Sequence, residues 1–130
     1  MFDEKIDTEE GEIMLSELIN TRHENAKYLP GIKIPKNIVA CPDLKQACEG
    51  ATLLIFVLPH QFLPKLLPTL REHADPNCRG VSLIKGLDFD ATTRKPILVS
   101  KSIEQSMGNG FRCGALMVSS LVHGPTIDNR

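Results

Sequence analysis

Thr52-Leu53-Leu54-Ile55-Phe56-Val57-Leu58 holds no charge, no glycine and no proline, and Pro59-His60-Gln61-Phe62 follows it directly. A short, unbroken apolar run of this kind suits a strand covered on both faces, as in a parallel sheet, rather than one with a solvated side. Two further runs are short, β-branched and nearly continuous in hydrophobicity, Asn37-Ile38-Val39-Ala40-Cys41 and Val81-Ser82-Leu83-Ile84-Lys85. Around them the apolar spacing becomes helical. Ile13, Leu15, Leu18 and Ile19 form one stripe within 12–21, and Phe62, Leu63, Leu66, Leu67 and Leu70 line one side of about 61–73. Asp43 before Leu44 reads as an N-cap and Gly50 as the glycine that closes a short helix. Pro64 fits a first helical turn, whereas Pro68 predicts a kink or a late start. A fourth helix is expected over 100–107, closed by Gly108-Asn109-Gly110, and a last short strand at Ala115-Leu116-Met117. Residues 28–36 and 88–96 read as loops, the first rich in proline and glycine, the second polar. Strands alternating with helices imply βαβ units, so the expected class is α/β with a parallel sheet flanked by helices.

Composition limits the function classes. The 130 residues carry 15 basic and 16 acidic side chains, a formal charge of −1, and 42% of them are hydrophobic. These values exclude a disordered tail and a polybasic nucleic-acid binder. No apolar run approaches the roughly 18 residues of a membrane span, so no membrane partner is expected. Met1-Phe2-Asp3-Glu4 is acidic where a signal or transit peptide would be basic, which favours a cytoplasmic protein. Cys41, Cys48, Cys78 and Cys113 form no CxxC pair, and His23, His60, His73 and His123 form no HExxH. No metal site is therefore expected, and the thiols read as reduced.

The glycine pattern is informative too. A dinucleotide-binding α/β domain usually opens with a strand, a GxGxxG turn and a helix that holds the diphosphate. No GxGxxG occurs here, and Gly108-Asn109-Gly110 follows a helical stretch, which marks it as a turn.

Three stretches together carry a family resemblance. Leu18-Ile19-Asn20-Thr21-Arg22-His23-Glu24-Asn25-Ala26-Lys27-Tyr28-Leu29-Pro30-Gly31 resembles the helix-to-loop passage of NAD-dependent glycerol-3-phosphate dehydrogenase. Leu54-Ile55-Phe56-Val57-Leu58-Pro59-His60-Gln61-Phe62 and Ser82-Leu83-Ile84-Lys85-Gly86 resemble later passages of the same family, in the same order. The resemblance covers about 1–117 and implies an incomplete Rossmann-like parallel sheet, a partial NAD-binding domain lacking the first glycine-rich βα unit. Residues 118–130 read as a divergent tail. The activity implied is oxidoreduction between dihydroxyacetone phosphate and sn-glycerol 3-phosphate with NAD, in a cytoplasmic homodimer.

The same resemblance implies site residues. Phe2 and Phe62 correspond to cofactor-binding aromatics, and Lys85 to a substrate-binding lysine; no catalytic residue is carried over. Taken without it, Lys85 reads as a solvated strand end, Phe62 as a helix anchor and Phe2 as a frayed terminus. His60 could move a proton, although a histidine that hydrogen-bonds locally at a helix start is the simpler reading. Without the glycine-rich unit and the family's helical domain, this chain alone is expected not to turn over and to bind NAD weakly or not at all. A second reading makes it a non-catalytic partner that pairs with a full-length dehydrogenase subunit through an open sheet edge.

Overall fold

The computed structural model describes residues 3–8, 11–90 and 92–116. In chain order these form β1 (Lys5–Thr8) and β2 (Gly11–Met14), α1 (Leu15–Arg22), α2 (Leu44–Cys48) and β3 (Leu53–Phe56). A 3₁₀ turn at His60–Phe62 then runs into α3 (Leu63–His73), followed by β4 (Arg79–Ser82), β5 (Leu87–Phe89), β6 (Pro96–Leu98), α4 (Val99–Met107) and β7 (Arg112–Ala115). The sheet has the order β3-β4-β7 and both pairings are parallel, with Leu53 opposite Arg79 and Gly80 opposite Cys113. Parallel neighbours need crossovers, supplied here by α3 and α4. The α/β class expected from the sequence is the one observed, a parallel sheet with helices packed on it.

The core lies between that sheet and the helices. Phe56, Leu63, Leu67, Leu70, Val99, Ile103, Met107 and Phe111 form it, closed by the three buried thiols of Cys48, Cys78 and Cys113. In α3 the buried Leu63, Leu67 and Leu70 recur at helical spacing. Pro64 occupies the first turn of α3, where a missing N–H costs nothing, and the helix continues past Pro68. Gly80 allows the closest approach: a Cβ there would stand 2.8 Å from the Phe111 ring and 3.1 Å from Cys113 Sγ.

The period of the strands explains what is left open. Phe56 and Ser82 turn into the core, whereas Leu53 is 49% exposed, Ile55 61% and Val57 68%. Among the described residues β3 pairs only with β4, so its other flank carries no ladder.

Residues 37–41 do not form the strand expected from their apolar run. The segment leaves a turn closed by a 3.0 Å bond from Ile38 N to Pro35 O, Ile38 and Val39 are exposed, and the Asn20 side chain takes the place of a neighbouring strand. Its Nδ2 donates to Ala40 O at 2.9 Å and its Oδ1 accepts from Ala40 N at 2.7 Å. Strand preference records how a side chain fits a sheet, and without a backbone neighbour it yields no ladder.

Two antiparallel hairpins also replace expectations. β1–β2 takes up residues at the start of the helix expected over 12–21, and α1 begins only at Leu15. The Asp3 carboxylate fixes that start, accepting from Ser16 N at 3.0 Å and from Ser16 Oγ at 2.6 Å. The β5–β6 hairpin occupies the polar stretch read as a loop. Its turn is built by Asp90, whose Oδ1 accepts from the backbone N–H groups of Thr92 and Thr93 at 2.9 and 2.6 Å. β4 and β7 both begin earlier than the apolar runs suggested; Met117 lies outside the described residues.

Candidate functional site

Ligands of open α/β sheets bind beyond the carboxyl ends of the strands. Two of the expected site residues occupy that position on neighbouring strands: Phe62 follows β3, and Lys85 follows β4. Phe2 lies outside the described residues.

The loop bearing Lys85 is held by the sheet itself. Leu83 N donates to Phe56 O at 3.0 Å, Leu116 N donates to Ser82 O at 2.9 Å, and Ile84 N donates to the buried Ser82 Oγ at 3.3 Å. These bonds carry the ladders past the formal strand ends and fix where residues 83–85 leave the sheet. Gly86 follows with φ +116°, a conformation costly for any side chain. Nothing lies within 4 Å of the position a Cβ would take there, so the backbone beside Lys85 faces open space. Lys85 is exposed and lines a crevice of about 170 Å³ together with Ser82, Leu98, Val99, Ser100 and Leu116. The first residues of α4 thus face the same space as the lysine.

Phe62 does not line that crevice. It closes the 3₁₀ turn before α3, with its N–H donating to Pro59 O at 3.0 Å, and the residue is 44% exposed. The next residue, Leu63, is the buried anchor of this segment. The reading of Phe62 as a core anchor therefore fails, and an aromatic face is left free beside the carboxyl end of β3.

Sequence reasoning missed a cluster between these two positions. His60 Nε2 stands 3.3 Å from Asp88 Oδ1, and Ser102 Oγ donates to Asp88 Oδ2 at 2.6 Å. The Ser102 hydroxyl, more than any other group, holds the Asp88 carboxyl below its ordinary range, aided by Phe89 N–H and His60. The alternation Leu87-Asp88-Phe89-Asp90 was the available signal, a period of two hidden in a stretch whose polarity suggested a loop. Among the described residues no group of three or more His, Cys, Asp or Glu side chains could hold a metal ion.

A parallel sheet whose neighbouring strands are joined by crossover helices defines an α/β domain of the Rossmann type. The family model for the N-terminus of NAD-dependent glycerol-3-phosphate dehydrogenase matches residues 7–124, and the chain belongs to that family. A glycerol-3-phosphate dehydrogenase [NAD(+)] of Candida tropicalis is 48% identical over 121 residues, covering 93% of this chain and 29% of the relative. The cytoplasmic enzyme of Rattus norvegicus is 51% identical over 94 residues, covering 72% of this chain and 26% of its own length. The solved structure of a glycerol-3-phosphate dehydrogenase from Saccharomyces cerevisiae superposes with a TM-score of 0.75 at 41% identity, covering 88% of this chain and 30% of that one. The chain therefore spans about three-tenths of the length of the relatives it matches.

NAD is the cofactor of this family. The residues present fit part of it: the exposed Phe62 follows β3, and Gly86, after β4, leaves space for close approach. The GxGxxG turn that would cradle the diphosphate is not among the 130 residues.

Proposed function

We propose that this chain carries part of the NAD-binding domain of a dehydrogenase that interconverts dihydroxyacetone phosphate and sn-glycerol 3-phosphate. In this reading Phe62, with Phe2, contacts the cofactor and Lys85 contacts the substrate. The observation that carries it is the placement of Phe62 and Lys85 beyond the carboxyl ends of the adjacent strands β3 and β4. A lysine ammonium is a compact charge suited to a phosphate or a polarised carbonyl oxygen, and Gly86 lets such a group approach. NAD, when bound, supplies the hydride chemistry; the chain's own residues supply position and charge. By itself the chain does not turn over, a reading supported by its covering 29% of the Candida relative. A cytoplasmic location and a homodimeric assembly of the complete enzyme complete this reading; the rat relative is named cytoplasmic, whereas a Saccharomyces relative is named mitochondrial. The near-neutral charge, and the absence of a long apolar helix among the described residues, favour neither a nucleic-acid nor a membrane partner.

Nuclear magnetic resonance on the purified chain tests the site. Dihydroxyacetone phosphate should perturb the backbone amides of 83–86, and Lys85→Ala should abolish that response. Perturbation confined to other residues refutes the assignment. NADH oxidation with dihydroxyacetone phosphate by the chain alone, or micromolar NAD affinity in calorimetry, refutes the inactive, weak-binding reading.

The open flank of β3 supports a second reading, a non-catalytic subunit that pairs with a full-length dehydrogenase. Co-elution with the complete enzyme supports it, and elution as a separate species counts against it.

A further inference from the structure

Asp88 joins three elements that the chain sequence keeps apart. It lies on β5 just beyond Lys85, accepts the Ser102 hydroxyl of α4, and faces His60, which opens the turn that ends in Phe62. Two of these elements form a fixed frame. α4 is anchored by Ile103, which is fully buried, and Asp90 on the same hairpin binds Gln105 Nε2 at 3.0 Å, a second tie between hairpin and α4. The third element is less constrained: His60 and Phe62 are both exposed, and the turn has no side-chain cap. A neutral imidazole protonated on Nε2 donates a hydrogen bond to the carboxylate, and the imidazolium adds an ion pair.

We propose that Asp88 is a positioning residue for the cofactor side of the site: anchored on α4 through Ser102, its carboxylate holds His60 and thereby sets where the Phe62 ring stands relative to the Lys85 loop. The ligand side of this inference rests on the reading of Phe62 and Lys85 given above. The geometry favours it over a purely local role, because Asp88 already satisfies a hydroxyl and its neighbour's N–H and still directs an oxygen at an exposed imidazole. A carboxylate needed only to pin the hairpin to α4 would not need His60.

The chain contains no tryptophan, so Phe62→Trp introduces a single reporter at the position in question. In that background Asp88→Asn keeps the shape and an acceptor for Ser102 but removes the charge, and His60→Ala removes the imidazole at an exposed position outside the core. Each should shift the tryptophan emission to the red and increase its quenching by acrylamide, with the far-UV circular dichroism retained. The double variant should change no more than either single one, because both remove the same contact. Unchanged emission in the single variants, or effects that add, overturn the clamp. At millimolar NADH, which populates even a weak site, energy transfer from the introduced tryptophan should be present in the Phe62→Trp chain and reduced in both variants. No energy transfer at that concentration refutes the placement of residue 62 on the cofactor, and with it the ligand-side role given to Asp88, while the emission measurements still decide the contact itself.

Discussion

Replacing Gly80 by alanine tests the packing of the sheet at its tightest point. Gly80 needs no special backbone conformation; its hydrogen makes room for a ring. An added Cβ would lie 2.8 Å from Phe111 Cζ, 2.9 Å from Cε1 and 3.1 Å from Cys113 Sγ. Carbon atoms pack favourably at about 3.5–4.0 Å, so the ring has to retreat by roughly an ångström. Phe111 is buried, with Ile103 and Met107 in the same core, and its backbone is held by a 2.9 Å bond from its N–H to Gly108 O. Overpacking of this kind costs about 1–3 kcal/mol. Expelling the ring would cost about 1.5–3 kcal/mol of apolar burial, so the two routes bracket the same loss. Urea unfolding followed by circular dichroism should show Gly80→Ala less stable by that amount. Phe111→Leu, which removes the outer ring atoms, should cost less in the Gly80→Ala background than in the wild type, since it relieves the clash. A Gly80→Ala chain within about 0.5 kcal/mol of wild type, or strictly additive losses, would refute the close-packing account.

Asp90 gives a pH prediction. Thr93 N–H, then the Gln105 side chain, hold its carboxyl at about 2, below the ordinary 3.8. The folded chain thus prefers the ionised form, so this contribution is intact above the unfolded value and disappears as pH falls from about 4 towards 2; a carboxyl resonance titrating near 3.8 would contradict it. Thiol labelling should find one fast site, Cys41, because Cys48, Cys78 and Cys113 are buried and burial pushes the Cys113 thiol up to about 11. A second fast thiol in the native chain would argue against the core described above. Asp43 caps α2 by accepting from Lys45 N at 2.8 Å and Gln46 N at 3.2 Å. Asp43→Ala should therefore cost about 0.5–2 kcal/mol and Asp43→Asn much less, as judged by thermal melting; equal losses would place the effect elsewhere.

Residues whose structure depends on their own neighbours in sequence were legible beforehand. The unbroken apolar run at 52–58 announced β3, the Asp43 and Gly50 pair bounded α2, and the leucine stripe of α3 defined the face on which the core is built. Features that depend on distant partners were not legible. Val39 has the composition of a strand residue, yet the neighbouring Ala40 meets a side-chain amide from α1 in place of a ladder. α1 starts where Asp3 reaches Ser16, a contact no helical period contains. Of the site, Phe62 and Lys85 followed from family resemblance and from their positions after strands. The Asp88 cluster stayed hidden because His60, Asp88 and Ser102 come together only when the crossovers have folded.

The bare flank of β3 also bears on how the chain behaves in concentrated solution. Among the described residues Leu53–Phe56 is paired on one flank alone, beside the exposed side chains of Leu53, Ile55 and Val57, with no lysine or proline within 53–58 to discourage a visitor. Such segments template their own kind, and dye-binding fibrils grown from this chain should have their protease-resistant heart in this hexapeptide.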